Sequence, residues 1–434
     1  MPKHQAPKGT RDLWPEDCAR FRRVEDAARE VARLYGYQEI RTPAFEDLAL
    51  FSRAVGEATD IVEKEMWTVG AKGSKDTFAL RPENTAGVVR AYLEKKLHKS
   101  APFQRLWYLG PQFRHERKQK GRWREFTQFG VEVIGKKAPS KIDTQVAKFE
   151  GSPELDAEVI GLGMEILNRV GISNASVRIN YIGTTEQRAR YREKLRKYLE
   201  PKRNDLCNDC QRRFDQNVLR LLDCKNAKCR EVMKGAGSIS DRDFLEEASY
   251  LYFSQVCSGL EKQHVKFEHD KNLVRGLDYY TGTVFEYYVE GAEGQQDALG
   301  GGGRYDGLVE MLGGPATPAV GLALGIDRIA ELVTPGDLGV DAFVVSDAEK
   351  WVSVCVNELR ANKVSAAYDY EGRGFGAQMK QANKLGARTA VIVGEDERAA
   401  DEVSIKNMDT GEQTRVKRDD LVSEVRRILG KGDA

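Results

Sequence analysis

Four cysteines stand close together in this 434-residue chain, as Cys207-x2-Cys210 and, after thirteen intervening residues, Cys224-x4-Cys229. Thiolates at this spacing match the ligand pattern of a four-cysteine zinc knot. Reduced free thiols on short helices fit the same pattern, so structural zinc on Cys207, Cys210, Cys224 and Cys229 is one of two readings. A second chemical feature lies in residues 105–135. Segments 105–114 and 124–134 read as two antiparallel strands joined by the basic loop 115–123. On the second strand Phe126, Gln128, Gly130, Glu132 and Ile134 share one face, while Thr127, Phe129, Val131 and Val133 share the other. A purely solvated face would not carry Phe126 and Ile134, so an aromatic, an amide and a carboxylate side by side point to a face lined for a ligand. A half-buried hairpin with a charged tip is the alternative.

The elements around these residues follow from hydrophobic period. Phe21, Val24, Ala27, Ala28, Val31 and Leu34 form a 3.6-residue stripe, which predicts a helix over 16–35 ended by Gly36. A short strand over 37–43, a helix over 46–54 and a helix over 85–96 come next. Composition shifts at 186–230, with 14 Lys/Arg against 7 Asp/Glu, which predicts a basic helical insertion with its own small fold. Residues 284–289 read as a strand, and the glycine cluster 300–303 follows it. Beyond a linker at 333–339, segments 341–345, 363–368 and 388–393 read as strands, separated by helical patterns at 349–361 and 377–385. That order predicts a small α/β domain with a parallel sheet.

Several motifs carry a family resemblance. Phe113-Arg114-His115-Glu116-Arg117 with Gly121-Arg122 and Phe126 resembles motif 2 of the class II aminoacyl-tRNA synthetases. Gly321-Leu322-Ala323-Leu324-Gly325-Ile326-Asp327-Arg328 resembles their motif 3, and 37–43 with its preceding helix resembles motif 1. Leu273-Val274-Arg275-Gly276-Leu277-Asp278-Tyr279-Tyr280 and Gly302-Gly303-Arg304-Tyr305-Asp306-Gly307-Leu308 narrow the resemblance to the histidyl-tRNA synthetase family. Lys8-Gly9-Thr10-Arg11-Asp12 and Leu80-Arg81-Pro82-Glu83-Asn84-Thr85-Ala86 agree with it, so it covers nearly the whole chain.

The resemblance implies an α+β catalytic domain, an antiparallel sheet with flanking helices, in two parts (1–185 and 249–333). A helical insertion (186–248) would separate them, and an anticodon-binding α/β domain (340–434) would follow. It implies a homodimer that ligates L-histidine to tRNA(His) using ATP with Mg2+. By resemblance, Arg114 and Arg275 hold the reacting α-phosphate and Arg328 the γ-phosphate, a task suited to a planar guanidinium that stays charged and binds oxyanions bidentately. Phe126 stacks on adenine, with Glu116 near its amine. Glu83, Thr85 and Gln128 meet the amino group of histidine, Glu132 and Tyr280 its imidazole, and Asn84 and Tyr279 line the pocket. Arg117, Lys118, Lys120, Arg122 and Arg124 are candidate tRNA contacts. A regulatory paralogue would be expected to lack the anticodon domain and to lose site residues; here 341–434 is present, and so are Arg114, Arg275 and Arg328.

Net charge is +1, from 68 Lys/Arg against 67 Asp/Glu, which by itself gives no hint of a nucleic-acid partner. The average conceals local structure. Residues 114–124 carry six basic groups and one acidic, and 186–230 adds a net of +7, so two candidate phosphate-binding surfaces emerge. From Val340 onward 15 basic residues face 17 acidic, so anticodon contact there should rest on base edges and stacking. No apolar run is long enough to span a membrane, and clustered cysteines suit a reducing compartment, so a cytoplasmic protein is expected.

Overall fold

The structure is a computed structural model that describes all residues except 1–3, 57–58, 60, 71–72, 74–75, 117–120, 136–150, 223, 242, 278, 290–297, 337 and 432–434. The chain divides into two units, residues 1–334 and 335–434. In the first, eight described strands form one sheet: β1 (Gln38–Glu39), β2 (Gln104–Phe113), β3 (Glu125–Ile134), β4 (Ala175–Tyr181), β5 (Phe267–His269), β6 (Thr281–Val289), β7 (Ala298–Arg304) and β8 (Ala319–Gly325). Their spatial order is β1-β2-β3-β8-β7-β6-β4-β5. Only the outermost pairs, β1 with β2 and β4 with β5, run parallel; the six central strands are antiparallel.

The principal helices of this unit are α1 (Pro15–Leu34), α2 (Thr85–Glu94), α3 (Pro153–Arg169), α4 (Thr185–Leu199), α5 (Asn208–Gln216), α6 (Ala227–Met233), α7 (Glu247–Lys262) and α8 (Ile326–Ala330). Pro15 opens α1, where a missing N–H costs nothing. Its stripe of Phe21, Val24, Ala28 and Val31 joins buried side chains of α3 and α7 in one hydrophobic cluster. Phe129, Val131 and Val133 of β3 enter that cluster, whereas Ile134 and Tyr108 belong to a second cluster on the other face. The period-2 alternation of β3 thus sends one set of side chains under the helices and leaves the other set free to build a site.

The insertion packs into the second cluster. Tyr191, Leu195 and Leu199 of α4, together with Leu206, Phe214 and Val218, share it with Val88, Tyr279 and Tyr305. The helical segment is therefore continuous with the apolar support of the site face and has no sealed core of its own. The glycine cluster 300–303 is the middle of β7 and pairs on both sides.

In the second unit the strands Ala366–Tyr368, Ala342–Ser346, Thr389–Val393, Glu402–Asn407 and Gln413–Lys417 lie side by side in that order. The first three, which are the strands expected from the sequence, are parallel as expected, and two further strands extend the sheet antiparallel. The short connection between Asn407 and Gln413 permits only a hairpin, and the mostly exposed edge strand Gln413–Lys417 lacks the apolar run that marks a buried strand. Ala342 and Val344 meet the helices Glu349–Ala361 and Leu421–Ile428, while Phe343 and Val345 meet Phe375–Lys384, so helices cover both faces.

Candidate active site

A cavity of about 1550 Å³ opens in the first unit, walled by β3, β7, β8, the start of α2, the segment 273–280 and part of the insertion. Its inner end is a nest of acceptors. Glu83 precedes α2, and its carboxylate accepts hydrogen bonds from the backbone N–H groups of Thr85 (2.7 Å) and Ala86 (3.0 Å). This satisfies donors that a helix start leaves open. Glu132, mid-strand on β3, accepts from Thr85 Oγ1 (2.7 Å) and from the Tyr305 hydroxyl (2.5 Å). Gly321 faces Glu132 across the β8–β3 ladder, and any Cβ there would run into its carboxylate. Gln128 Oε1 is buried and has no hydrogen-bond partner among the described residues. Tyr108, Tyr279 and Tyr280 complete the lining.

Burial dominates the electrostatics of this nest. It raises the pKa of Glu83 against the opposing pull of the Ala86 and Thr85 N–H groups. Burial likewise pushes Glu132 from 4.5 up to about 8, helped by the neighbouring Glu83 carboxylate and opposed by the Tyr305 and Thr85 hydroxyls. Two carboxyls this close in a dry site cannot both ionise freely, and an incoming cation or N–H donor is the partner they lack.

The outer part of the cavity is cationic. Arg114, at the end of the β2–β3 hairpin, donates Nε to the Pro82 carbonyl (2.8 Å) and lies 5.2 Å from the Phe126 ring centroid. Arg328 on α8 donates to the carbonyls of Gly121 (3.3 Å) and Ala298. Its pKa is lowered, first by burial and then by the neighbouring Arg122 cation. Arg275 pairs with Glu286 of β6 at 2.9 Å. Gly301 on β7 leaves room for that guanidinium, since a Cβ there would stand 2.8 Å from Arg275 Nη1. Glu116 bonds to Arg122 (2.8 Å). The segment leading to Arg275 is held by Asn180 of β4, whose Nδ2 donates to the Leu273 carbonyl (2.9 Å). Arg188 of α4 donates to the carbonyl of Tyr280.

The cavity therefore gathers Glu83, Thr85, Arg114, Glu116, Arg122, Phe126, Gln128, Glu132, Arg275, Tyr279, Tyr280 and Arg328. Two expected residues lie elsewhere. Asn84 is buried outside the lining, its Oδ1 accepting from Thr42 Oγ1 at 2.8 Å, because successive residues at a helix start point to different sides. Arg124 lies against Trp67, 5.8 Å from the ring centroid, and packs on Gly9, so it braces the hairpin and does not line the cavity. Arg117, Lys118 and Lys120 fall outside the described residues. Of the four cysteines, Cys224 reaches the cavity wall.

A family profile described as histidyl-tRNA synthetase matches residues 9–329, and one described as anticodon binding domain matches 342–428. The chain belongs to the histidyl-tRNA synthetase family. It is 46% identical over 429 residues to the histidine–tRNA ligase of Desulforudis audaxviator, across 97% of this chain and 98% of that protein. It is 41% identical over 434 residues to the histidine–tRNA ligase of Halothermothrix orenii, across 98% and 99%. The apo histidyl-tRNA synthetase of S. aureus superposes with a TM-score of 0.77 at 35% identity, covering 98% of this chain and 100% of that one.

Within this synthetase frame some motif residues turn out to be braces. Arg11 of the N-terminal motif pairs with Asp327 of the motif 3 segment at 2.9 Å, and the other oxygen of Asp327 accepts from Thr127 N at 2.7 Å. One carboxylate thus ties the N-terminal segment, β3 and α8 together. In Arg304-Tyr305-Asp306, Arg304 is buried against Asp156 (2.5 Å) and Asp306 (2.8 Å), whereas Tyr305 points to Glu132. Sequence reasoning missed Tyr108, which adjoins Thr85 and Glu132 in the pocket. Its place opposite Gly130 in the hairpin register is the feature that could have found it.

Proposed function

We propose that this cavity carries out both steps of the histidine–tRNA ligase reaction, with the residues divided as follows. The carboxylate of L-histidine attacks the α-phosphorus of ATP; the new P–O bond forms as the bond to pyrophosphate breaks, giving histidyl-adenylate. Arg114 and Arg275 take the growing charge on the α-phosphate oxygens, and Arg328 holds the γ-phosphate of the departing pyrophosphate. Preorganised cations of this kind supply most of the stabilisation in phosphoryl chemistry. Magnesium would supply countercharge to the ATP phosphates beside these arginines. Phe126 offers its face to adenine, and Glu116 its carboxylate to the exocyclic amine.

Glu83, Thr85 and Gln128 receive the substrate's ammonium, and Glu132 with Tyr280 receives the imidazole. An amino acid without ring nitrogens would leave these buried groups unpaired, so the pocket can discriminate without editing. In the second step the terminal ribose hydroxyl of tRNA(His) attacks the adenylate carbonyl and AMP leaves. Arg122, with Arg117, Lys118 and Lys120, and the basic insertion meet tRNA phosphates, and residues 340–434 read the anticodon arm. The enzyme works as a homodimer in the cytoplasm; among the described residues no helix is long and apolar enough to cross a membrane.

The observation that carries this reading is the juxtaposition, in one cavity, of buried acceptors lacking a cation with a group of arginines, among them Arg328, whose pKa is lowered by burial and then by the neighbouring Arg122. Such a cavity fits a zwitterion at one end and a polyphosphate at the other. The test is exchange of labelled pyrophosphate into ATP. Histidine-dependent exchange is expected. Exchange with none of the twenty amino acids would overturn the enzymatic reading, and exchange with a different amino acid alone would overturn the histidine assignment.

A further inference from the structure

The four cysteines of the insertion lie outside the ligase chemistry, and the structure gathers them. Cys207 caps α5 and Cys210 sits in its first turn; Cys224 follows the 3-10 turn Val218–Leu221, and Cys229 lies in α6. Four sulfurs drawn from three separate pieces of chain lie within 4.8 Å of one another. All are free thiols, and Cys207 Sγ and Cys224 Sγ are 3.9 Å apart. A disulfide would need about 2.05 Å. A tetrahedron with Zn–S bonds of about 2.3 Å has edges of about 3.8 Å, close to the Cys207–Cys224 separation of 3.9 Å.

We propose that Cys207, Cys210, Cys224 and Cys229 form a structural zinc site that fastens the insertion beside the mouth of the cavity.

Three features outside the sulfur geometry support it. The Cys207 backbone N–H donates to Cys229 Sγ at 3.2 Å, an orientation that stabilises a thiolate ligand. Cys210 and Cys229 are fully buried and Cys224 nearly so, which shields the centre from solvent. A zinc tetrathiolate carries a net charge of −2, and the adjoining chain is basic. Lys225, Lys228 and Arg230 flank the cluster, and Arg230 donates to the Cys224 carbonyl at 3.4 Å.

The local chain also needs a fastener. Elements α5 and α6 have nine and seven residues, and the turns Glu200–Asp205 and Val218–Leu221 have six and four. Helices shorter than about 12 residues do not persist on their own. Leu206, Phe214, Val218 and Leu221 pack into the cluster shared with the site face, and a metal would add a local tie among these short pieces. Since Cys224, Arg213, Arg220, Lys225 and Arg230 all face the cavity, the metal would set where those cations stand.

The experiment is metal analysis of the full-length protein purified without chelator or added metal. About one zinc per chain is expected, with release on titration of four thiols by a mercurial. The Cys210→Ser, Cys229→Ser double variant should lose the metal, while Cys18→Ser, Cys257→Ser should keep it. Should the first variant fail to fold, protein grown in cobalt supplies the answer without any substitution. Thiolate-to-cobalt charge-transfer bands with a tetrahedral d–d pattern are expected. Less than about 0.2 equivalents of zinc in the parent protein, cysteines recovered as disulfides, or an octahedral cobalt spectrum would each overturn the proposal.

Discussion

Replacing Glu132 by Gln tests the electrostatic account of the pocket through protein stability, without reference to catalysis. Burial holds the Glu132 carboxyl at a pKa of about 8 in the folded chain, against an ordinary 4.5. The unfolded chain ionises this group near 4.5 while the native chain keeps its proton until about 8. Folding therefore takes up a proton across that window, and stability must fall as pH rises through it. Below the unfolded value both states are protonated and the penalty vanishes; above the folded value it levels off at about 5 kcal/mol. Linkage puts the cost at about 2 kcal/mol at pH ~6 and at roughly twice that or more at pH ~8.5. A glutamine still meets Tyr305 and Thr85 but has nothing to ionise, so its advantage over glutamate should grow by roughly 2 to 3 kcal/mol between those pH values.

The assay is urea unfolding of parent and Glu132→Gln protein at both pH values, followed by tryptophan fluorescence. Trp351 lies in the second unit, so a Trp351→Phe background confines the readout to residues 1–334. Taking the difference between the two proteins cancels every other titrating group except those facing Glu132. Of these, Glu83 is itself shifted upward and gains from losing a charged neighbour, which acts in the same direction. A difference that stays flat within about 0.5 kcal/mol from pH ~6 to ~8.5 would refute the burial argument. The same variant should bind histidine about 100-fold more weakly, the scale of a lost charge-assisted hydrogen bond in a dry site.

Arg275→Ala should depress histidine-dependent pyrophosphate exchange by at least about 100-fold with an unchanged circular dichroism spectrum; a near-normal rate would place the essential cation elsewhere. Tyr305→Phe removes a hydroxyl that holds down the pKa of Glu132, so KM for histidine should rise about 10-fold with kcat moved less, and an unaltered KM would exclude Tyr305 from recognition. Asn84→Ala breaks the buried bond to Thr42 and should cost about 1–2 kcal/mol of stability while leaving KM for histidine in place. A selective rise in KM there would return Asn84 to the pocket.

Much of the site was legible because strand parity is legible. Once 124–134 is read as a strand, the placing of Gln128 and Glu132 on one face and of Phe129 and Val131 under the helices follows from the pleat alone. What parity could not supply was the partner strand's contribution, since Tyr108 enters the pocket only through the register of the hairpin. The destination of consecutive polar residues at a helix start was equally hidden, because Glu83, Asn84 and Thr85 point to different sides depending on how α2 docks. The glycine cluster was ambiguous for a related reason. Glycine is a poor strand former in isolation, and its place in β7 is fixed by what approaches it: Arg275 at Gly301 leaves no room for a side chain.

The arginines show where composition alone fails and geometry decides. Arg304 sits in one of the strongest family motifs, yet two aspartates cancel its charge inside the core, so it can only hold the fold. Arg114 and Arg328 are anchored mainly by the carbonyls of Pro82, Gly121 and Ala298. A carbonyl fixes a guanidinium's position without neutralising it, so Arg328 faces the cavity with its positive charge largely intact, while Arg114 has the Glu116 carboxylate 4.0 Å away. Burial and the neighbouring Arg122 lower the pKa of Arg328, and an anion in the cavity would raise it again. The count of basic residues is therefore a weaker guide to the site than the place each one occupies: Arg304 is held by two aspartates away from the cavity lining, whereas Arg114, Arg328 and the Glu286-paired Arg275 all line the cavity.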